Sequence, residues 1–160
     1  MGGVSEINWI QIGTGWLALW HRPGLKAIPL LKGAGCEHIL TLLSEREGAE
    51  EIGEAARKAN LGWTWLPLPN ARWSEGKRKD LILSALAGVS EILDSGSRLL
   101  IHCSAGIHRT GMVAYILLRW RGHDEEEALN LIARMRMHTR EGLRREHIEW
   151  GNEVIKPRIS

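Results

Sequence analysis

The chain has 160 residues, of which 44% are apolar and 25% charged, an ordinary globular composition with enough length for one domain and a sizeable core, which argues against disorder and multi-domain layouts. Lys and Arg number 21 against 19 Asp and Glu, a formal charge of +2 that gives no ground on net charge for a nucleic-acid binder. The longest apolar run, Met112 to Leu118, is far short of the roughly 20 residues of a membrane span, so it reads as buried helix.

The first residues, MGGVSEINW, show no basic stretch followed by an apolar one, so no secretory signal is expected and the cytoplasm is the default location. Glu6 spoils the myristoylation pattern that Gly2 begins. Two cysteines, Cys36 and Cys103, are too few for a disulfide framework and suit a reducing compartment. Eight Trp with one Tyr and no Phe point to Trp as core filler.

Ile7 to Trp20 is apolar with Gly13 and Gly15 between, which predicts two short strands joined by a turn. The same residues, Gly13 to Ala18, satisfy a G-x-G-x-x-A nucleotide fingerprint, but Pro23-Gly24 interrupts where the required helix would run. Ala27 to Gly33 predicts one or two helical turns, and Glu37 to Leu43 a buried strand. Glu47 to Asn60 predicts a helix, with Asn60-Leu61-Gly62 as its stop, and Gly62 to Leu68 a strand ended by Pro67 and Pro69. Ser74 then caps a long helix to about Leu93 along one apolar stripe.

Arg98 to His102 predicts a short apolar strand, and Thr110 to Trp120 an apolar helix, with a loop of about eight residues between them. Asp124 and Glu127 form a capping box for a helix running to about Met137, and a last amphipathic helix spans about Leu143 to Ile155. Alternating strands and helices, without repeat or linker, predict one α/β domain over residues 1–160, its mainly parallel central sheet flanked by helices.

The chemistry concentrates between that apolar strand and helix. A strand feeding a tight, Gly-containing loop into a helix N-terminus turns successive N–H groups into one concavity, an anion site suited to phosphate. The backbone of Ser104, Ala105, Gly106, Ile107 and His108 would form it. Cys103 at its start sits in a positive potential that favours the nucleophilic thiolate. Arg109 can curl back so that its planar fork takes two phosphate oxygens, which lysine cannot do. A metal site from His102, Cys103 and His108 is not expected, because adjacent residues at a strand end point apart.

The order strand, His102-Cys103-x2-Gly106-x2-Arg109-Thr110-Gly111, helix resembles the protein tyrosine phosphatase superfamily. The small size, with the loop two-thirds along, is similar to its dual-specificity branch. Low-molecular-weight phosphatases, which carry Cys-x5-Arg near the N-terminus, fit badly. Glu37 to Ser44 and Trp63 to Pro69 sit like the two strands preceding the loop in that branch. The resemblance implies that Cys103 attacks phosphorus to form a phosphocysteine, that Arg109 and the loop amides hold the transferring group, and that Thr110 assists the leaving thiolate. It further implies that His102 tunes the thiol, that no metal or cofactor is needed, and that the substrate is a phosphorylated protein or another phosphomonoester.

Family members place an aspartic general acid about 30 residues before the cysteine, where this chain has PLPNARWSEG. Asn70 stands there and cannot deliver a proton, a loss worth typically about 10²–10⁴-fold. Glu75, Asp80, Glu45 and Glu47 are the candidate replacements, against ordinary roles in helix first turns, a cap and a solvated face. His147 falls roughly where the family has a water-orienting glutamine, against a surface helix histidine. Cys36 is weighed as a redox partner of Cys103 against a buried strand-end thiol.

From Arg134 to Arg145, five arginines face the single acid Glu141, and Lys77-Arg78-Lys79 lies near a helix start. Such cations would suit phosphates flanking the reacting one, in a phosphoinositide, a polyphosphate or an RNA 5′-end, or would simply be solvated. The rival from another class is a phosphate-binding module with weak catalysis, motivated by Asn70.

Overall fold

The computed structural model describes residues 3–72, 76–154 and 156. Among them the strands β1 (Ile10–Ile12), β2 (Gly15–Trp20), β3 (His38–Thr41), β4 (Gly62–Trp65) and β5 (Arg98–His102) form one sheet in the order β1-β2-β5-β3-β4. Ile12 faces Gly15 across an antiparallel β1–β2 pair, so Gly13 and Thr14 make a two-residue turn, with φ at +63° on Gly13. A strand, not a helix, follows these glycines, which removes the nucleotide-fingerprint reading. The other pairings are all parallel.

The predicted mainly parallel α/β sheet is thus the observed one, and central β5 explains why its sequence reads as continuously apolar. Leu99 and Ile101 face a core shared with α3 (Arg78–Asp94), α4 (His108–Trp120), α5 (Glu125–Met135) and α7 (Arg145–Val154). Leu100 faces a second core shared with α1 (Ile28–Gly33) and α2 (Ala49–Lys58). Strands covered on both faces need apolar residues at every position. In α4 every residue from Thr110 to Leu118 is buried, because the helix is wrapped by α3, α5, α6 (Met137–Gly142) and α7.

Several boundaries differ from the sequence reading. The strand predicted to Leu68 ends at Trp65, since Pro67 and Pro69 have no N–H for a ladder. A 3₁₀ turn, Glu45–Glu47, and Gly48 at φ +85° precede α2, which starts at Ala49. The loop before α4 has five residues, not eight, because the helix opens at His108. Arg136, extended at φ −164° and ψ 106°, ends α5 and admits the short α6 before the last helix. The Asp124 capping box of α5 is formed, with Glu127 N–H donating to Asp124 at 2.8 Å and the reverse bond at 3.1 Å. Ser74, the expected cap of α3, lies outside the described residues.

Register decides what meets the loop. His102 is level with Trp20 on β2 and Thr41 on β3, and Thr41 with Trp65 on β4. The segments after all four strands therefore gather at their carboxyl ends, the usual ligand edge of an open α/β sheet.

Candidate active site

Cys103 leaves β5 at this edge, 3% exposed, and Cys103 to Ile107 turn the chain into α4. The turn requires Gly106, at φ +72°, where a Cβ would lie 2.2 Å from the Trp20 carbonyl oxygen. The loop carbonyls are engaged from outside. The Arg22 N–H donates to Ser104 O at 2.8 Å, Arg136 Nη1 donates to Ala105 O at 3.2 Å and Gly106 O at 3.0 Å, and Thr139 Oγ1 donates to Gly106 O at 2.5 Å. The Ile107 carbonyl accepts from the Gly111 N–H at 2.7 Å, inside α4.

Behind the thiol, hydrogen-bond chemistry fixes the state of His102. Its Nδ1 lies 3.0 Å from the Cys103 carbonyl, which only accepts, so Nδ1 carries the proton. Nε2 then accepts from Thr41 Oγ1 at 2.8 Å, and that hydroxyl in turn accepts from Trp63 Nε1 at 2.8 Å. The Trp63 indole, the Thr41 hydroxyl and both His102 nitrogens are thus satisfied with the imidazole neutral, and burial lowers its pKa to about 4. One turn into α4, the Thr110 hydroxyl is buried with no hydrogen-bond partner among the described residues.

Arg109, with 12% of its side chain exposed, is aimed by Glu47 and not by its own helix. Nη1 and Nη2 grip the two Glu47 carboxylate oxygens at 2.6 and 2.9 Å, and Nη1 also donates to Leu68 O at 2.7 Å. These bonds leave the Nε–H and one Nη2–H for other partners, and the guanidinium also interacts with the Cys103 side chain. Glu47 is held in turn by the Ser44 N–H at 2.9 Å and the Ser44 hydroxyl at 3.0 Å, and its own carbonyl accepts from Arg22 Nη1. Arg109 and Ser44 bring its pKa down to about 2, so Glu47 is an ionised strut and not a proton donor. That corrects its candidacy as general acid.

Asn70 is exposed two residues beyond Leu68, and its Oδ1 accepts from Arg78 Nη1 at 2.6 Å. Asp80 is exposed in the first turn of α3, Glu45 is exposed on the turn that carries Glu47, and Glu75 lies outside the described residues. His108 is exposed, with Nδ1 donating to Gly142 O at 3.1 Å. His147 is not on the surface. It is fully buried, its Nε2 donates to Ala71 O at 3.3 Å and its Nδ1 accepts from the Arg144 N–H at 3.4 Å, so it ties α7 to the segment bearing Asn70, and burial lowers its pKa.

The arginine run divides by partner. Arg136 turns inward to the loop, Arg144 pairs with Glu146 at 3.8 Å, and Arg145 pairs with Glu125 at 3.8 Å and Glu149 at 3.6 Å. Nothing in the sequence separated Arg136 and Thr139 from their neighbours, because only the fold decides which of them reaches the loop, and the Ser44-x-x-Glu47 capping box singled out Glu47 from Glu45 without showing its reach to Arg109. Among the described residues no cluster of three His, Cys, Asp or Glu side chains could hold a metal ion, and no helix is long and apolar enough to cross a membrane.

A mainly parallel sheet whose central strand runs through the Cys103–Ile107 loop into a buried helix bearing Arg109 is the fold of a dual-specificity-like phosphatase domain of the protein tyrosine phosphatase superfamily. The family model described as PTP-SAK, Swiss Army Knife protein, DSP-PTPase phosphatase domain, matches residues 5–153, and the chain belongs to this family. Among solved structures it is similar to kinase associated phosphatase (KAP) with its catalytic-site cysteine replaced by serine, at 16% identity over 95% of this chain and 94% of that one, TM-score 0.78. PTPMT1 is similar at 17% identity over 94% and 98%, TM-score 0.70, and has also been solved in complex with PI(5)P. TpbA of P. aeruginosa is similar at 18% identity over 93% and 86%, TM-score 0.62. At these identities the likeness speaks for the fold. No curated protein matches the chain.

Proposed function

We propose that this phosphatase hydrolyses phosphomonoesters in two steps through a phosphocysteine on Cys103. The observation that carries the reading is the Arg109 fork, fixed by Glu47 at 2.6 and 2.9 Å beside a cysteine-headed loop at the N-terminus of α4. The Cys103 thiolate attacks phosphorus and the ester oxygen leaves with its electron pair. Arg109 and the loop N–H groups of residues 104–108 hold the non-bridging oxygens, whose charge rises in the transition state. Water then cleaves the P–S bond, and the departing thiolate takes a hydrogen bond from the open Thr110 hydroxyl. Neutral His102 holds the Cys103 carbonyl and fixes where the strand releases the thiol.

The substrate we propose is phosphotyrosine or another phosphomonoester, with neither metal nor cofactor in the chemistry and the cytoplasm as the working compartment. One domain, residues 1–160, is proposed to carry it all. Asn70 offers an amide at the position of the family's acid, so activated aryl esters should outpace alkyl esters by more than in an enzyme with a general acid, whose contribution is about 10²–10⁴-fold. Asp80, Glu45 and Glu75 remain the proton-donor candidates. A second reading, a phosphatase of a phosphoinositide or an RNA 5′-phosphate, draws on the exposed Arg134 and Arg144.

The test is steady-state hydrolysis of an activated aryl phosphate without added metal, parent against Cys103→Ser, from pH 4.5 to 8. Turnover in the parent and none in the variant is the expected result. Equal turnover in both, or none in either, would sink the nucleophile assignment, and tight phosphopeptide binding without turnover would favour a binding module.

A further inference from the structure

The outward bonds of the loop carbonyls have a stereochemical consequence. In a trans peptide the C=O of one residue and the N–H of the next point in opposite directions. Each carbonyl drawn away from the cradle therefore turns the following N–H into it. The Cys103 carbonyl is held by His102 and the Ser104 carbonyl by the Arg22 N–H, which aims the amides of Ser104 and Ala105. Among the described residues the next two peptides have no backbone donor of this kind: Ala105 O is held by Arg136 at 3.2 Å, and Gly106 O by Arg136 at 3.0 Å together with Thr139 at 2.5 Å.

We infer that Arg136 and Thr139 are positioning residues of the phosphate site: from the corner between α5 and α6 they fix the amides of Gly106 and Ile107 on the bound oxyanion. Glycine at 106 makes such fixing necessary, because the residue whose φ the turn requires is also the one whose flanking peptides turn most easily. The two side chains are matched to the task. The two Nη1 protons of Arg136 are shared among both carbonyls and Thr139 Oγ1, 3.2 Å away, so the hydroxyl's own proton is left for Gly106 O. Thr139 is fully buried, and Arg136 owes its reach to its extended backbone, which breaks what would otherwise be one long helix. A surface arginine of a solvated patch would do none of this. Both residues bond the loop carbonyls, so the role we infer acts through the loop.

This inference rests on the phosphatase reading but is tested by binding as well as turnover. The probe is inorganic tungstate, a non-reacting oxyanion, measured by calorimetry on the parent, Thr139→Val, Thr139→Ser and Arg136→Lys, beside hydrolysis of an aryl phosphate and thermal melts. Thr139→Val should weaken tungstate roughly tenfold or more and lower kcat/KM within the range of about 10²-fold that a misplaced site group costs. Thr139→Ser should restore both, and Arg136→Lys, which keeps the charge but ends short of where Nη1 stands, should not. Leu93→Ala, a core truncation at the opposite end of the sheet, supplies a loss of Tm without a change in tungstate affinity. Thr139→Val and Arg136→Lys within twofold of an active, tungstate-binding parent would overturn the inference alone. A parent that neither binds tungstate nor turns over would overturn the phosphatase reading and this inference with it.

Discussion

At the scale of single residues, two titrating groups report on the site. Glu47 is held near 2 when folded against an ordinary 4.5. A depressed carboxylate stabilises the fold fully above its unfolded value, and that contribution is lost as pH falls through the folded one. Urea melts between pH 2 and 6 should therefore show a fall in stability below about pH 4.5 that is smaller in Glu47→Gln. The same variant should cut kcat/KM about 10–100-fold, since Arg109 loses the partner that aims its fork. His102 has the opposite charge type but the same direction of linkage. Its folded value near 4 lies below the ordinary 6.5, so protons bind the unfolded chain first and stability drains as pH falls from 6.5 towards 4. Ring nitrogen resonances of His102 should keep the neutral Nδ1–H pattern down to about pH 5, and titration near 6.5 would refute the Trp63–Thr41–His102 chain.

At the scale of elements, β5, the Cys103–Ile107 loop and α4 act as one device. Gly106→Ala combines left-handed strain with a clash against the Trp20 backbone, and should cost about 2–4 kcal/mol in denaturant melts and remove oxyanion binding. Much of this device is readable in the sequence. The apolar strand, the loop glycine, the nucleophile and the arginine are local to one stretch of chain, and local propensity and spacing determine them. The end of α5 was readable to within two residues, about Met137 against Met135, but the extended Arg136 and the short α6 after it were not. The extended turn exists where tertiary bonds to Ala105 and Gly106 repay it.

For the whole molecule, parallel register separates the two thiols. His38 is level with Leu99 and Thr41 with His102, so Cys36 precedes its strand at one edge of the sheet while Cys103 follows its own at the other, roughly 20 Å away at about 3.3 Å per residue. A disulfide needs Cα atoms within about 7 Å. Diamide oxidation followed by mass spectrometry should thus find no internal Cys36–Cys103 link, and the buried Cys36 thiol, its pKa pushed up to about 12, should stay unreactive in the native fold.

The amino-acid order by itself determined the α/β alternation, the mainly parallel sheet and the Cys103–Arg109 loop, because each depends on periodicity or on residues within one turn of each other. Only the tertiary structure decided which distant groups serve that loop. Glu47 lies 62 residues from Arg109, and Thr139 lies 33 from Gly106. The Ser44 capping box singles out Glu47 from the exposed Glu45 locally, though not its grip on Arg109, and nothing local distinguishes the inward Arg136 from the paired Arg145. Their roles come from strand order and register, which bring the carboxyl ends of β2, β3, β4 and β5 to one edge and pack α6 against it.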